Sequence, residues 1–466
     1  MKILLFTPIK PRRAIFSLFA PLGLGYLATS LRRKGHEVKI VDCCKEFTTI
    51  DKLKLLIKDE KPDITGIQLF TPDILTGKQM VSAIKEVNPV IITGVGGPHV
   101  SGRELDIFKD IPEADYAFAG EAEIGFSNYT DFLVNKGLID KCHGLLLKDY
   151  NGKPLMIDKV FHENLDELGF PSWDLMDPRT YPVAPPNVYF KASPFAPIIT
   201  TRGCPYGCNF CQSYLIAGRK IRKRSIEHIK EEIDLLMNKY CVKEIFIVDD
   251  NFTYLKEHVI NFCEMLLSNN IKIHWSPWNG IRLDTLDEEI LRLMIKSGCY
   301  MIKVGIESGS PRILKAMNKH LTLEVVREKL ELVRKAGMEV FGFFILGYPG
   351  ETTEDLRKTY DFALSLPLTG ANFANYQPLP GTPVYKELIL NNKIDPFDWD
   401  PAKGTFADIN FVPDGMTKEE LKAWQRKMLI SFYFRPKTFG RIIYRVIQSR
   451  NYKHLFYKTW AYIFRK

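Results

Sequence analysis

Three cysteines, Cys204, Cys208 and Cys211, sit in the run Arg202-Gly203-Cys204-Pro205-Tyr206-Gly207-Cys208-Asn209-Phe210-Cys211, with the spacing C-x3-C-x2-C and no fourth cysteine close by. Three thiolates on one short loop can hold three irons of a [4Fe–4S] cluster and leave the fourth iron without a protein ligand. Such an iron can take a substrate or cofactor directly, whereas an electron-carrying cluster is normally closed by four thiolates. The glycines and Pro205 suit a backbone that must wrap tightly around an inorganic cube. A structural zinc site is the competing reading. It calls for a fourth Cys or His at similar spacing, and the next histidine, His228, falls in a helical pattern.

The other six cysteines (Cys43, Cys44, Cys142, Cys241, Cys263 and Cys299) follow no framework spacing and fall mostly in apolar runs. They read as reduced thiols in a reducing compartment, which predicts a cytoplasmic protein. The apolar start Met1–Phe6 is too short for a signal peptide and is followed by Lys10, Arg12 and Arg13. No stretch of 18 uncharged apolar residues is present, so no membrane-spanning helix is expected. The formal charge of +9 is concentrated at one end, because residues 435–466 carry nine Lys or Arg and no Asp or Glu. The preceding 434 residues are formally neutral. Aromatic residues such as Phe439, Tyr444, Phe456 and Trp460 are mixed into that basic tail.

With 466 residues the chain has room for two domains and appendages. Over residues 1–136, apolar runs alternate with helical patterns, which predicts a doubly wound parallel sheet with strands at Lys2–Pro8, Glu37–Cys43, Asp63–Phe70, Val90–Gly96 and Ala114–Gly120. Ligands of such sheets bind beyond the carboxyl ends of the strands. Residues 137–195 read as a hairpin turning at Asn151-Gly152 and then an aromatic linker. A second series over 196–390 has strands at Ile198–Arg202, Glu244–Asp249, Lys272–Trp278, Met301–Glu307, Glu339–Leu346 and Ala371–Gln377. Six β/α units are too few to close an eight-stranded barrel. The predicted class is therefore α/β: an N-terminal Rossmann-like sheet, a partial (β/α)6 barrel, and a C-terminal helical region over 391–466.

The cysteine loop, with Phe210 before its last cysteine, resembles that of the radical S-adenosylmethionine enzymes. The likeness continues in order through Val248-Asp249-Asp250-Asn251-Phe252, Gly305-Ile306-Glu307-Ser308-Gly309-Ser310, Gly347-Tyr348-Pro349-Gly350-Glu351 and Gln377-Pro378-Leu379-Pro380-Gly381-Thr382-Pro383. The resemblance implies that Cys204, Cys208 and Cys211 hold the cluster. It implies that Asp249 and Asp250 lie near the methionine amino group, and that Glu307 with Ser308 serves the ribose or amino group. Gly347 would lie near the adenine, and Arg282 could pair with the cofactor carboxylate. Each has a plain alternative, such as a helix cap for Asp249 and Asp250 or a local ion pair of Arg282 with Asp284.

The first domain resembles the cobalamin-binding domains fused to such enzymes, through Ala20-Pro21-Leu22-Gly23-Leu24-Gly25-Tyr26-Leu27-Ala28, Gly96-Gly97-Pro98-His99 and Gly120-Glu121. Pro8, Gly23, Thr71, Gly96, Gly97, Pro98, His99, Gly120 and Glu121 are the implied corrinoid contacts. No histidine stands two residues after an Asp, so the D-x-H-x-x-G motif of other cobalamin domains is absent. His99 reads as a loop residue near the corrin edge rather than a cobalt ligand. The competing reading is a domain that no longer binds cobalamin.

The tail resembles the region after the core in anaerobic magnesium-protoporphyrin monomethyl ester cyclases and hopanoid methylases. Together these likenesses imply an enzyme that cleaves S-adenosylmethionine reductively, uses cobalamin, and methylates an unactivated carbon of a lipid- or isoprenoid-like small molecule. An external reductant such as flavodoxin or ferredoxin would supply the electron. The basic, aromatic tail suits an anionic membrane surface better than nucleic acid. A radical cyclase without methyl transfer and a non-catalytic cobalamin or iron–sulfur sensor remain the alternatives. An RNA methylthiotransferase fits less well, since the first domain lacks the extra cluster cysteines.

Overall fold

The apolar runs of the first 120 residues become five parallel strands: β1 (Lys2–Phe6), β2 (Glu37–Val41), β3 (Ile64–Gln68), β4 (Ile92–Gly96) and β5 (Tyr116–Phe118). The computed structural model describes residues 1–10, 19–46, 48–149, 151–181, 190–398, 409–436 and 438–440. They divide into two units, the first comprising residues 1–206, 210–250 and 379–405 and the second residues 207–209, 251–378 and 406–466.

In the first unit the sheet order is β2-β1-β3-β4-β5-β6-β7, where β6 (Leu145–Lys148) and β7 (Pro154–Met156) form the expected hairpin. The hairpin adds antiparallel to β5 and so continues the N-terminal sheet. Inside the sheet both faces are covered, which is why β1 is an apolar run, whereas the edge strand β2 alternates buried residues with the exposed Glu37 and Lys39. Leu4 and Phe6 join a core with Leu53, Ile57, Met80 and Ile84 from two helices, Ile50–Glu60 and Ile74–Val87. Leu5, of opposite parity, faces a cavity instead.

The second βα series begins in this unit with β8 (Phe195–Ile198), a short antiparallel pair of β9 (Thr201–Arg202) and β10 (Arg222–Lys223), and β11 (Glu244–Ile247), which runs parallel to β8. The strand expected at Ile198–Arg202 is thus broken at Ile199-Thr200. Asp249 causes the break, because its carboxylate takes the Thr200 and Thr201 N–H groups at 2.7 and 2.9 Å and both hydroxyls at 2.6 and 2.8 Å. Backbone donors that would have continued a ladder are spent on a side chain.

The second unit contains β12 (His274–Pro277), β13 (Met301–Glu307), β14 (Glu339–Leu346) and β15 (Gly370–Asn375), the last three forming a parallel sheet in that order. On the outer face Phe344 stacks on Phe373, which meets Phe432 of the helix Lys418–Tyr433. Arg435, first of the tail's basic residues, donates to the carbonyls of Leu364, Leu366 and Leu368 and so serves this packing. Residues 441–466, on which the expected membrane contact depends, lie outside the described residues. Among the described residues no helix is long and apolar enough to cross a membrane.

Candidate functional site

β9 runs straight into the cysteine loop. Gly203 takes φ +98°, and a Cβ there would lie 2.3 Å from the Lys220 carbonyl, so only glycine fits this turn. In the first unit the loop is pinned by Cys204 N–H to the Gly218 carbonyl (3.2 Å) and by Gln212 Nε2 to the Pro380 carbonyl (2.7 Å). The Ser213 N–H donates to Cys211 Sγ at 3.5 Å. In the second unit Asn209 N–H donates to Met317 O (3.0 Å) and Asn318 Nδ2 to Gly207 O (2.8 Å). The three cysteines are half-exposed and unbridged. Among the described residues no three Cys, His, Asp or Glu side chains converge as they would on a single metal ion.

Asp249 and Asp250 behave differently from each other. Asp249 is fully enclosed by its four hydrogen bonds, and burial nevertheless pushes its carboxyl up to about 6. Asp250 accepts from Ser213 Oγ and from the Gly203 N–H at 3.4 Å, and it faces the cavity described below. Phe210 is half-buried on the loop.

In the second unit Glu307 ends β13 with φ +69°, a conformation that costs a β-strand residue about 1–2 kcal/mol and is usual where a side chain must be aimed. A bulge between Gly305 and Glu307 produces it. Its carboxylate pairs with the buried Lys319 at 2.7 Å. Burial alone would lower the Lys319 pKa, but the Glu307 charge, followed by that of Cys208, raises it. Lys319 was not singled out from the sequence. The local signal was the turn Asn318-Lys319-His320, whose flanking residues take φ +53° and +50°. Arg282 is buried and spends its donors on Asp284 (2.7 Å) and on the carbonyls of Lys319 (2.8 Å) and His320 (3.0 Å), thereby holding that turn. Ser308 is fully buried and bonded to Thr359 at 3.1 Å. Gly347, at φ +76°, donates to the Glu351 carboxylate, which burial pushes up to about 8.

Within the first unit a cavity of about 290 Å³ opens at the carboxyl ends of β1, β3, β4 and β5. Gly23, Gly96, Gly97, Pro98, Gly120 and Glu121 line it, as do Arg202 and Ala217 from either side of the cysteine loop and Asp250 from beyond β11. Its floor is apolar: Leu5, Gly66, Tyr116 and Phe126. Glycines keep it open, since a Cβ at Gly96 would meet nothing closer than 3.7 Å and would project into free volume. A flat ring system with an aromatic base fits such a lining, where backbone comes close and little polar surface must be desolvated. Three of the expected contacts do not line it. Pro8 is buried, Thr71 lies in a short turn, and His99 is fully enclosed, with Nδ1 3.3 Å from Thr71 Oγ1 and Nε2 3.5 Å from Asp110.

The cavity's polar edge is a buried charge cluster. Arg202 lies 2.8 Å from Glu123 and 3.3 Å from Glu121, while Arg222 grips Glu121 with two bonds of 2.7 Å. The Arg202 guanidinium also lies 5.0 Å from the centre of the Tyr26 ring. Of these residues the sequence reading picked out Glu121 alone. Its signal for the rest was adjacency: Arg202 stands directly before Gly203-Cys204, and Glu123 two residues past Glu121.

Comparison with known proteins gives two family matches, the radical SAM superfamily over residues 198–363 and the B12 binding domain over residues 13–129. An uncharacterized methyltransferase of Pyrococcus horikoshii is 33% identical, over 95% of each chain. The anaerobic magnesium-protoporphyrin IX monomethyl ester cyclase of Rubrivivax gelatinosus is 28% identical, over 86% of this chain and 71% of its own. Among solved structures, the cobalamin-dependent S-adenosylmethionine radical enzyme OxsB, with aqua-cobalamin and S-adenosylmethionine bound, superposes with a TM-score of 0.75 at 19% identity, over 98% of this chain and 72% of its own.

Proposed function

This chain belongs to the radical S-adenosylmethionine superfamily, in the group that carries a B12-binding domain, and from that premise we propose that it is a cobalamin-dependent methyltransferase acting on an unactivated carbon of a small molecule. One observation carries the proposal. The glycine-rich cavity of the N-terminal sheet is also lined by Arg202 and Ala217, on either side of the cysteine loop, and by Asp250, which accepts from Gly203 and Ser213. A corrinoid held there lies beside the loop that holds the cluster. Once bound, the cluster supplies one electron to the sulfonium of S-adenosylmethionine, and the cobalamin carries a methyl group.

The chain's own residues bind, orient and exclude water. Cys204, Cys208 and Cys211 hold the cube, with Gly203 setting the turn. Glu307, aimed by its left-handed backbone and fixed by Lys319, is the carboxylate we assign to the ribose or amino group of S-adenosylmethionine. Gly23, Gly96, Gly97 and Gly120 let the backbone approach the corrin. Nine free cysteines suit a reducing cytoplasm and a flavodoxin- or ferredoxin-like electron donor. A lipid- or isoprenoid-like substrate is the class that the resemblance to hopanoid methylases favours.

The test uses full-length protein reconstituted without oxygen with iron, sulfide and hydroxocobalamin, then reduced with S-adenosylmethionine bearing a trideuterated methyl group. Both 5′-deoxyadenosine and S-adenosylhomocysteine should form, and extracts offered as substrate should yield a product heavier by one trideuterated methyl. The cyclase among the relatives motivates a second reading, radical chemistry without methyl transfer. 5′-Deoxyadenosine with no label in any product would establish that reading in place of ours.

Gly96→Leu gives a separate check on the cavity. The new side chain enters open volume, so the fold should survive while bound cobalamin falls at least ~10-fold, a difference of about 1.4 kcal/mol. Iron content should not change. Cobalt and iron analysis of the same preparation reads both, and unchanged cobalt would place the corrinoid elsewhere.

A further inference from the structure

One buried ammonium in the second unit has no part in the cofactor chemistry. Lys303 lies on β13, four residues before Glu307, and is 8% exposed. Its Nζ sits 2.7 Å from the centre of the Trp278 ring and 5.9 Å from that of Phe341. Among the described residues no charged neighbour offsets its burial, which holds its pKa well below the ordinary lysine range. The nearest carboxylate along its own strand, Glu307, is already taken by Lys319.

The surroundings mark this as the inner, open face of the sheet. Along β14, Phe341, Phe343 and Ile345 are half-buried, whereas Val340, Gly342, Phe344 and Leu346 are covered. Asn372 and Ala374 repeat the pattern on β15. Phe344 and Phe373 belong to the packed outer layer, so the half-buried positions border free space. On β12, Trp275 packs outward against Phe252 and Phe262. Ser276 has the opposite parity, which it shares with Trp278, and its fully buried hydroxyl has no hydrogen-bond partner among the described residues. An amine stripped of water and given only ring faces is unfavourable for the empty protein, as is an unsatisfied buried hydroxyl. An anion arriving with a ligand removes that cost.

We propose that Lys303 anchors an anionic group of the molecule this enzyme modifies, a carboxylate or a phosphoryl oxygen, while Trp278, Phe341 and Phe343 cover its apolar body. The inference rests on the reading of the chain as an enzyme acting on a bound organic molecule, and its test needs no turnover. Reconstituted full-length protein is titrated with inorganic phosphate and, separately, with acetate, at constant ionic strength held by sodium chloride. Tryptophan fluorescence reports on Trp278, and calorimetry gives the affinity independently.

Wild type should respond saturably to at least one anion, and the preferred one distinguishes a phosphoryl from a carboxylate group. Lys303→Met should weaken that affinity at least ~10-fold, and Lys303→Arg should retain most of it. Lys303→Met should also raise Tm, because it removes an unpaired buried amine. Trp278→Phe should lose the fluorescence signal. Equal affinity in Lys303→Met, or no saturable response to either anion in wild type, overturns the inference. Loss of methyl transfer with anion binding intact would instead count against the proposed reaction alone.

Discussion

Cys208→Ala is expected to abolish formation of 5′-deoxyadenosine while leaving the protein folded and its cobalamin content unchanged. Two thiolates cannot hold three corners of a cube, and the cube is the group that would supply the electron to the sulfonium. Loss of residues that merely support metal ligands costs about 10–100-fold in affinity or activity, so loss of a ligand should exceed the upper end of that range. The fold should tolerate the change because the loop is fixed by its neighbours rather than by the thiol. Asn209 N–H holds Met317 O, and Asn318 Nδ2 holds Gly207 O. The side chain itself is half-exposed, and a surface truncation of this kind is worth within about 0.5 kcal/mol. Lys319 keeps its partner Glu307 at 2.7 Å, so no buried charge is orphaned. Iron and sulfide analysis, the near-ultraviolet and visible spectrum, and chromatography of 5′-deoxyadenosine read the outcome. Full iron content with normal cleavage in this variant would remove the basis for assigning the loop to a cluster.

Much of this arrangement was legible in the sequence, for identifiable physical reasons. The parallel strands of the first sheet are largely buried, so they read as short apolar runs with a turn residue behind them, even where the edge strand β2 alternates with the exposed Glu37 and Lys39. The cysteine loop could be read because its spacing is a property of the chain alone. The break at Ile199-Thr200 could not, because its cause is a carboxylate some 50 residues later, and side-chain capture of backbone N–H groups leaves no periodic trace. His99 looked like a loop residue beside the corrin. It lies in the core, with Nδ1 bonded to Thr71 and Nε2 3.5 Å from the Asp110 carboxylate, and that placement depends on how a later helix folds back. Lys319, Arg222 and Lys303 were overlooked for a related reason. A lysine or arginine in sequence reads as solvated surface, and only the surrounding strands show that these are enclosed. The Arg282–Asp284 pair forms between near neighbours in sequence, whereas the hold of Arg282 on the Lys319–His320 turn joins residues nearly 40 apart and leaves no local trace.

The charge cluster beside the cavity should be the most sensitive point of the first unit. In Arg202→Met, Glu121 keeps both bonds from Arg222, but Glu123 loses its partner while it stays buried. An orphaned charge of this kind costs about 3–5 kcal/mol, which corresponds to a fall in Tm on the order of 10 °C for a unit of this size. The pH dependence separates this cause from simple loss of packing. In the native protein burial raises the Glu123 pKa, but the Arg202 charge and hydrogen bond outweigh it and hold the carboxyl below its ordinary value. A depressed folded pKa contributes stability above the unfolded value of about 4.3 and loses it as pH falls through the folded value. With Arg202 gone, burial is opposed only by the residue's own backbone N–H and by the Arg222 charge, so the folded pKa is expected to move above the unfolded one and the sign to reverse. The variant then loses stability as pH rises through its new folded pKa, and the deficit relative to wild type should be largest at neutral pH and shrink on acidification. Arg202→Met combined with Glu123→Gln should restore much of the loss at pH 7, because a neutral amide is less costly to bury than a lone carboxylate. Thermal unfolding of the two variants and wild type across the acid limb measures all of this. A deficit below about 1 kcal/mol, or one that widens as pH falls, would mean the pair is screened by water and not the buried clamp that its distances describe.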